Sequence, residues 1–489
     1  MKKLLISLCV LLSINMMATN YLVQLGGVGN PTWRAVGQDE VLVDLSVLGK
    51  TLPEWYNITF TATPTVAAQI WLIKGTYSFN ATIAEQSKVS IYGGFDGTEI
   101  AISARLKSVN AKYWEFTNET VWDGNNSTQF LTAGGARTSI TYDGISFTRG
   151  GVSAVRPRGS EIFQNCIFKD NQSSTKGAAL LLYAGSGSTG NSVKRCYFYN
   201  NSATGTGSGL GLGGAIAVLG TTSAPHLIQE CLFKNNNADV NGSDIYLESS
   251  GAITVQNSLI TGATGINSVY LMGTTNFYNN TFVNNGSCGM YISGTPAVKV
   301  YNSVFWGGTN GLAGGGAATS EVKNCALNMT PRPEWTVANN IQLESVNTGV
   351  DASKYYPAFT DPTIGDFTLS SESSLVDRGD GALNATITTD FLGAVRPMGS
   401  TFDLGCYEFQ SLATSDPEII DKLQIFNSKN RLHINGLTEK ALVSIYDIYG
   451  RLISTFTANQ DLICEVAANV YIVKVIQNGT IVSCKLLAQ

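Results

Sequence analysis

Chemistry on a protein needs carboxylates, imidazoles, thiols or cations brought together, and this 489-residue chain offers few such groups at suggestive spacing. Asp239, Asp244 and Glu248 fall within one short stretch. Paired carboxylates are what acid/base cleavage of a glycosidic bond requires. Arg156 and Arg158 form a small basic pair. Neither set recurs at a spacing that would build a cleft, so both are read as solvated turn residues. The chain has 2 His, His226 and His433, and neither has a partner in sequence for a triad or a metal site. The glycine-rich run from Gly205 to Gly214 lacks the Lys-Ser or Lys-Thr ending of a phosphate loop. Asp390, Arg396, Asp403 and Glu408 offer oxygen ligands for calcium, but their spacing matches no ion loop. The preferred reading is that Arg396 pairs with Asp390 or Glu408 to lock a set of turns. No catalytic residue, cofactor or metal is assigned.

The elements that must carry these residues follow from composition and repetition. Only 14% of residues are charged, Gly reaches 51, and Asn, Ser and Thr are abundant, which is the usage of short strands joined by tight turns. A net charge of −5 without a basic stripe argues against nucleic acid as a partner. Residues 1–18 read as an export signal: Lys2 and Lys3, an apolar run from Leu4 to Ile14, and small residues around Ala18. The mature chain is expected to start near Thr19. Lipidation at Cys9 is not expected, because Leu8 stands where a small side chain is needed. No other segment approaches the roughly 18 apolar residues of a membrane-crossing helix.

Repeats are visible by eye. Bulky apolar residues stand at Phe147, Phe168, Phe198, Phe233, Ile260, Phe282, Phe305 and Leu327, with steps of 21, 30, 35, 27, 22, 23 and 22. Five positions earlier lie Tyr142, Phe163, Val193, Ile228, Val255, Phe277, Val300 and Val322, a second apolar column. Between them runs Gly144, Asn165, Arg195, Glu230, Asn257, Asn279, Asn302 and Asn324. Both apolar columns can face inward across an odd spacing only if the chain bends between them. Asn suits such a bend because it tolerates the left-handed region, and a ladder of stacked amides is expected there. Each coil adds about 4.8 Å, so ten to twelve coils give a rod on the order of 50 Å.

The segments Gly213-Gly214-Ala215-Ile216 and Lys176-Gly177-Ala178-Ala179, with Phe168-Lys169-Asp170-Asn171, Phe198-Tyr199-Asn200-Asn201 and Phe233-Lys234-Asn235-Asn236, resemble the Gly-Gly-Ala-Ile and Phe-x-x-Asn repeats of polymorphic outer-membrane autotransporter proteins. The runs Ile70–Tyr77 and Val89–Phe95 resemble the opening of pectin-lyase-like surface proteins. These resemblances imply an all-β chain built on a right-handed parallel β-helix. The cap and first coils are placed at 19–100 and the β-helix at 101–409, closed by 361–409. The superfamily includes polysaccharide lyases and glycoside hydrolases, so an enzyme acting on an extracellular polysaccharide is the alternative to a binding module.

A polar linker at 410–421 precedes a small β-sandwich at 422–489. Its Tyr446, Asp447, Gly450, Arg451, Tyr471 and Lys485 resemble the C-terminal sorting domain of the type IX secretion system, with Asn469 where that family usually has Gly. The resemblance implies the secretion machinery as a partner and a place at the cell surface or outside the cell; a monomer is expected. Cys166, Cys196, Cys231 and Cys325 share one column and are expected to be inward thiols, while Cys464 with Cys484 is the disulfide candidate. The functional expectation is a non-catalytic, adhesin-like module that meets glycans or host matrix, with Tyr246, Tyr270, Tyr291 and Trp306 as candidate contacts.

Overall fold

The computed structural model describes residues 19–26, 39–108, 111–184, 187–220, 224–249, 253–345, 349, 351, 353–410, 424–428, 431–437, 440–447, 451–465, 469–477 and 480–488. The expected signal at 1–18 and most of the linker lie outside them. The chain divides into two compact units, 1–409 and 410–489.

The first unit is a parallel β-helix. Its described strands form three long parallel sheets of 13, 11 and 9 strands, and successive strands of the chain step from sheet to sheet. One coil shows the pattern: Glu161–Gln164 on the first face, Ile167–Lys169 on the second, Leu180–Ala184 on the third. Both apolar columns are in register, Phe147 on Phe168, Phe168 on Phe198 and Phe198 on Phe233, with Tyr142 on Phe163 and Phe163 on Val193. The phenylalanine rings stack at 4.8 Å with planes 2° to 6° apart between Phe168, Phe198 and Phe233. These side chains are fully buried. Burying each contributes about 2–3 kcal/mol, and the identical rung above supplies the complementary surface.

The bend between the first and second faces is left-handed at all eight aligned positions, with φ between 49° and 71° from Gly144 to Asn324. Arg195 and Glu230 hold this strained conformation too, and their side chains pair across the rungs at 2.6 Å. The expected amide ladder is not formed here. Asn257, Asn302 and Asn324 donate instead to the carbonyls of Thr389, Asp380 and Arg378 in the closing segment. The ladder stands one corner further on, after the second face. There the Asn171 amide donates to Asn201 Oδ1 at 2.9 Å and Asn201 donates to Asn236 Oδ1 at 2.9 Å.

Gly213 opens the third-face strand at φ 70°, and a Cβ there would lie 2.5 Å from the Ile216 carbonyl. Only glycine fits that approach. Cys166, Cys196, Cys231 and Cys325 are fully buried free thiols. Leu52–Thr59 is a short helix that buries Leu52, Trp55 and Tyr56 against the N-terminal end of the core. Its signal was present as Thr51-Leu52-Pro53-Glu54, where the Glu54 carboxylate accepts from Thr51 N at 2.8 Å. Among the described residues no helix is long and apolar enough to cross a membrane.

The second unit holds a three-stranded and a four-stranded antiparallel sheet, packed through Leu432 and Ile434 on one and Val443, Ile445, Val473 and Val475 on the other. Leu462–Glu465 is a strand that sequence reading missed. Its Cys464 is a free thiol on the three-stranded sheet, whereas Cys484 belongs to the four-stranded one. The pairing proposed from sequence is therefore not made.

Candidate functional site

The acidic and basic residues first considered for catalysis do not converge. Asp244 is no solvated turn residue: it is wholly buried, accepts from Asn236 Nδ2 at 2.8 Å and Ser268 Oγ at 2.7 Å, and burial pushes its carboxyl up to about 7. Asp239 and Glu248 are exposed, and Glu248 pairs with Lys176 at 2.7 Å. Arg156 and Arg158 are half-buried rather than solvated, with the Arg158 guanidinium 5.6 Å from the Tyr183 ring centre. His226 is buried, accepts from Asn191 N through Nδ1 at 3.2 Å, and is pushed down to about 4 by burial. It is thus a neutral core residue at ordinary pH. His433 sits in a strand of the second unit.

In the closing segment Arg396 lies 2.8 Å from Glu408, both side chains fully buried, and donates twice to the Gly405 carbonyl at 3.1 Å. The Nε approach is a charge contact outside hydrogen-bond geometry. Asp390 accepts from Leu392 N, Ala394 N and Glu408 N, and Asp403 from Asp377 N and Phe409 N. Each carboxylate is thereby committed to backbone amides that shape turns. Among the described residues no group of three His, Cys, Asp or Glu is placed to hold a metal ion.

The candidate aromatic contacts divide between two faces. Tyr246, Tyr270 and Tyr291 are in register on the outside of the third face, with ring centres 5.7 Å and 5.5 Å apart and planes within 10°. They spend their faces on one another. Tyr246 is buried, with Ala217 in register on its other side and the Lys176 ammonium 5.3 Å from its ring centre, whereas Tyr291, 37% exposed, has its outer face turned to the small Ala313 of the next rung. Trp306 is elsewhere: on the second face, under the closing segment, donating to the Glu344 carbonyl and packed edge-on to Phe359.

A groove that sequence reading missed runs along the outside of the second face. Its floor is made by outward side chains of successive rungs, Tyr197, Leu232 and Leu259 among them. One wall comes from residues 112–115 and the other from the hairpin tip at 362–365, and together they enclose about 470 Å³. Trp114 stacks on Tyr197 at 5.3 Å and leans on Phe391, so the two long excursions meet over the floor. Lys112, Lys234, Asn235, Asn284 and Thr261 supply donors and acceptors, and Glu115 is the sole acid among the described lining residues. Burial beside Tyr199 and Glu115 pushes the Tyr197 phenol up to about 12, keeping it neutral and able to donate. The only advance signal was the pairing of a Trp-bearing insertion with aromatic outward positions, two segments far apart in sequence.

In the second unit Asp447 is buried and locks its turn to Arg451, which donates from Nε at 2.6 Å and from its backbone N at 2.9 Å. Tyr471 pairs with Asp447 on the neighbouring strand, and Tyr446 is half-buried. Gly450 lies outside the described residues, as does the side chain of Lys485. No family model, curated protein or solved structure matches the chain.

Proposed function

We propose that this is an exported, non-catalytic β-helix protein of the cell surface or extracellular space that binds a glycan in the groove over its second face. The groove itself carries the reading: an aromatic floor and wall set beside amide, hydroxyl and ammonium groups suits a sugar ring, which has apolar faces and a polar rim. Glycoside hydrolysis uses two opposed carboxyl groups, and among its described lining residues the groove presents one, on Glu115. Support for export is the Lys2-Lys3 and apolar leader, and support for a type IX sorting domain is the Tyr446-Asp447 to Arg451 turn and Tyr471. The repeats resembling those of polymorphic outer-membrane proteins fit the same setting.

The test is a screen of the full chain against neutral and acidic polysaccharides, scoring retention and release of reducing or unsaturated ends. Retention without release, reduced at least about tenfold by Trp114→Ala, is expected. Release of ends would replace the reading with an enzyme. Absence of retention on all glycans would remove the glycan.

A further inference from the structure

The interior of the first coils is not wholly apolar. Glu85 follows the third-face strand Ile83–Ala84 and is fully buried, as is Glu161 at the start of a first-face strand. The Tyr142 hydroxyl donates to Glu85 Oε1 at 2.7 Å, and Glu161 accepts from Gly159 N at 2.8 Å. One oxygen of each carboxyl, Glu85 Oε2 and Glu161 Oε1, is buried without a hydrogen-bond partner. The groups facing the pair are few. Tyr56 comes from the helix Leu52–Thr59, Arg137 from the preceding turn, and Arg158 contributes a backbone amide. Beyond Glu161 the same inward position is filled by Asn191, whose Oδ1 accepts from Glu161 N, and then by neutral His226.

We propose that Glu85 and Glu161 act as a proton-holding latch that fastens the N-terminal helix to the first coils, closed while the pair keeps a proton and loosened when both carboxyls ionise. The link to the helix is direct. Gln86 N, next to Glu85, donates to the Tyr56 hydroxyl at 3.2 Å, and Asn57 Oδ1 accepts from Ala84 N at 2.9 Å. Two carboxylates in the dry core lack solvation, no hydrogen bond joins them, and Glu161 adds repulsion at Glu85, so a proton on either one removes the largest cost. Arg137 offers a single counter-charge, enough for one carboxylate and not for two. Burial raises Glu85 to about 8 with Glu161 as a further cause, and raises Glu161 to about 7.

The sign follows from linkage. Because both carboxyls hold protons more tightly folded than unfolded, the stabilisation is complete below the unfolded value near about 4.3 and is lost as pH rises through about 7 to 8. The experiment is hydrogen exchange of the full chain at pH 6 and pH 9, corrected for intrinsic rates, together with infrared spectra at pH 7. Protection of the helix amides should fall at least about tenfold at pH 9 while those of Thr275–Tyr278 hold. A protonated carboxyl band should be present at pH 7 and diminish in Glu85→Gln and Glu161→Gln, and Glu161→Gln should keep helix protection at pH 9. Equal protection at both pH values, or a band unchanged in both variants, overturns the latch. Should a variant fail to fold, the wild-type exchange comparison decides alone.

Discussion

Two columns of asparagine climb the same rod at the same period and do different work. Asn171, Asn201 and Asn236 are fully buried and bond upward to one another, while each amide also donates back to the carbonyl of Phe147, Phe168 or Phe198. Asn257, Asn279, Asn302 and Asn324 sit at the left-handed bend, and three of them donate to the closing segment. The first column joins rung to rung. The second joins the rod to a strap laid over it. Asn is chosen at the bend for its backbone, and at the ladder for its side chain.

Breaking the ladder is expected to have the largest effect. Asn201→Ala leaves Asn171 N, the Asn171 amide, the Phe168 carbonyl and Asn236 Oδ1 short of partners in the core. At about 1–3 kcal/mol for each buried group left unpaired, partly relieved by relaxation, the loss is about 4 kcal/mol. Chemical denaturation followed by tryptophan fluorescence measures it, and a loss below about 1 kcal/mol would mean that the rungs are held by apolar stacking alone.

The top of the ladder should titrate. Asn236 Nδ2 donates to Asp244, whose folded carboxyl is raised to about 7 by burial against about 3.9 in an unfolded chain. Its contribution is therefore complete below about pH 4 and declines as pH rises through about 7, by about 4 kcal/mol at most. Asp244→Asn should flatten the stability curve over that window relative to wild type. Parallel curves for the two proteins would show that Asp244 stays ionised, sustained by Asn236 and Ser268.

The repeat was legible because stacking forces it: the same two inward positions recur in every coil, so Phe147 to Leu327 and Tyr142 to Val322 can be aligned without any structure. The left-handed bend was legible for the same reason. What the bend asparagines touch was not, because Thr389 and Asp380 lie 132 and 78 residues away from their partners. Asp244 was misread as a solvated turn residue since the sequence does not reveal that Asn236, eight residues back in the same coil, and Ser268 on the next rung both turn towards it. The groove was hidden by the same distance: Trp114 and Phe367 meet only after the sheet between them exists. Along one rung, sequence speaks of neighbours above and below. Across a face it is silent.

The bend column provides the smallest effect and the sharpest contrast with the ladder. Asn302 Nδ2 donates to the Asp380 carbonyl at 3.0 Å and its Oδ1 accepts from Asp380 N at 2.9 Å, while its φ is 50°. Asn302→Gly keeps the backbone freedom and deletes both bonds, so a loss of about 1 kcal/mol is expected, confined to the strap. Asn302→Ala deletes the bonds and adds a β-carbon at a left-handed position, costing about 1 kcal/mol more. Global denaturation should register the difference between the two variants. Limited proteolysis should register what they share, namely faster cleavage in Asp377–Asn384, with the ladder coils protected as in wild type. Equal stability of the two variants would mean that the bend can relax to accept a side chain. Unchanged cleavage would mean that the strap is held by the buried Arg396–Glu408 pair and the apolar contacts of Phe391 and Leu404, and the bend asparagines are there for their backbone alone.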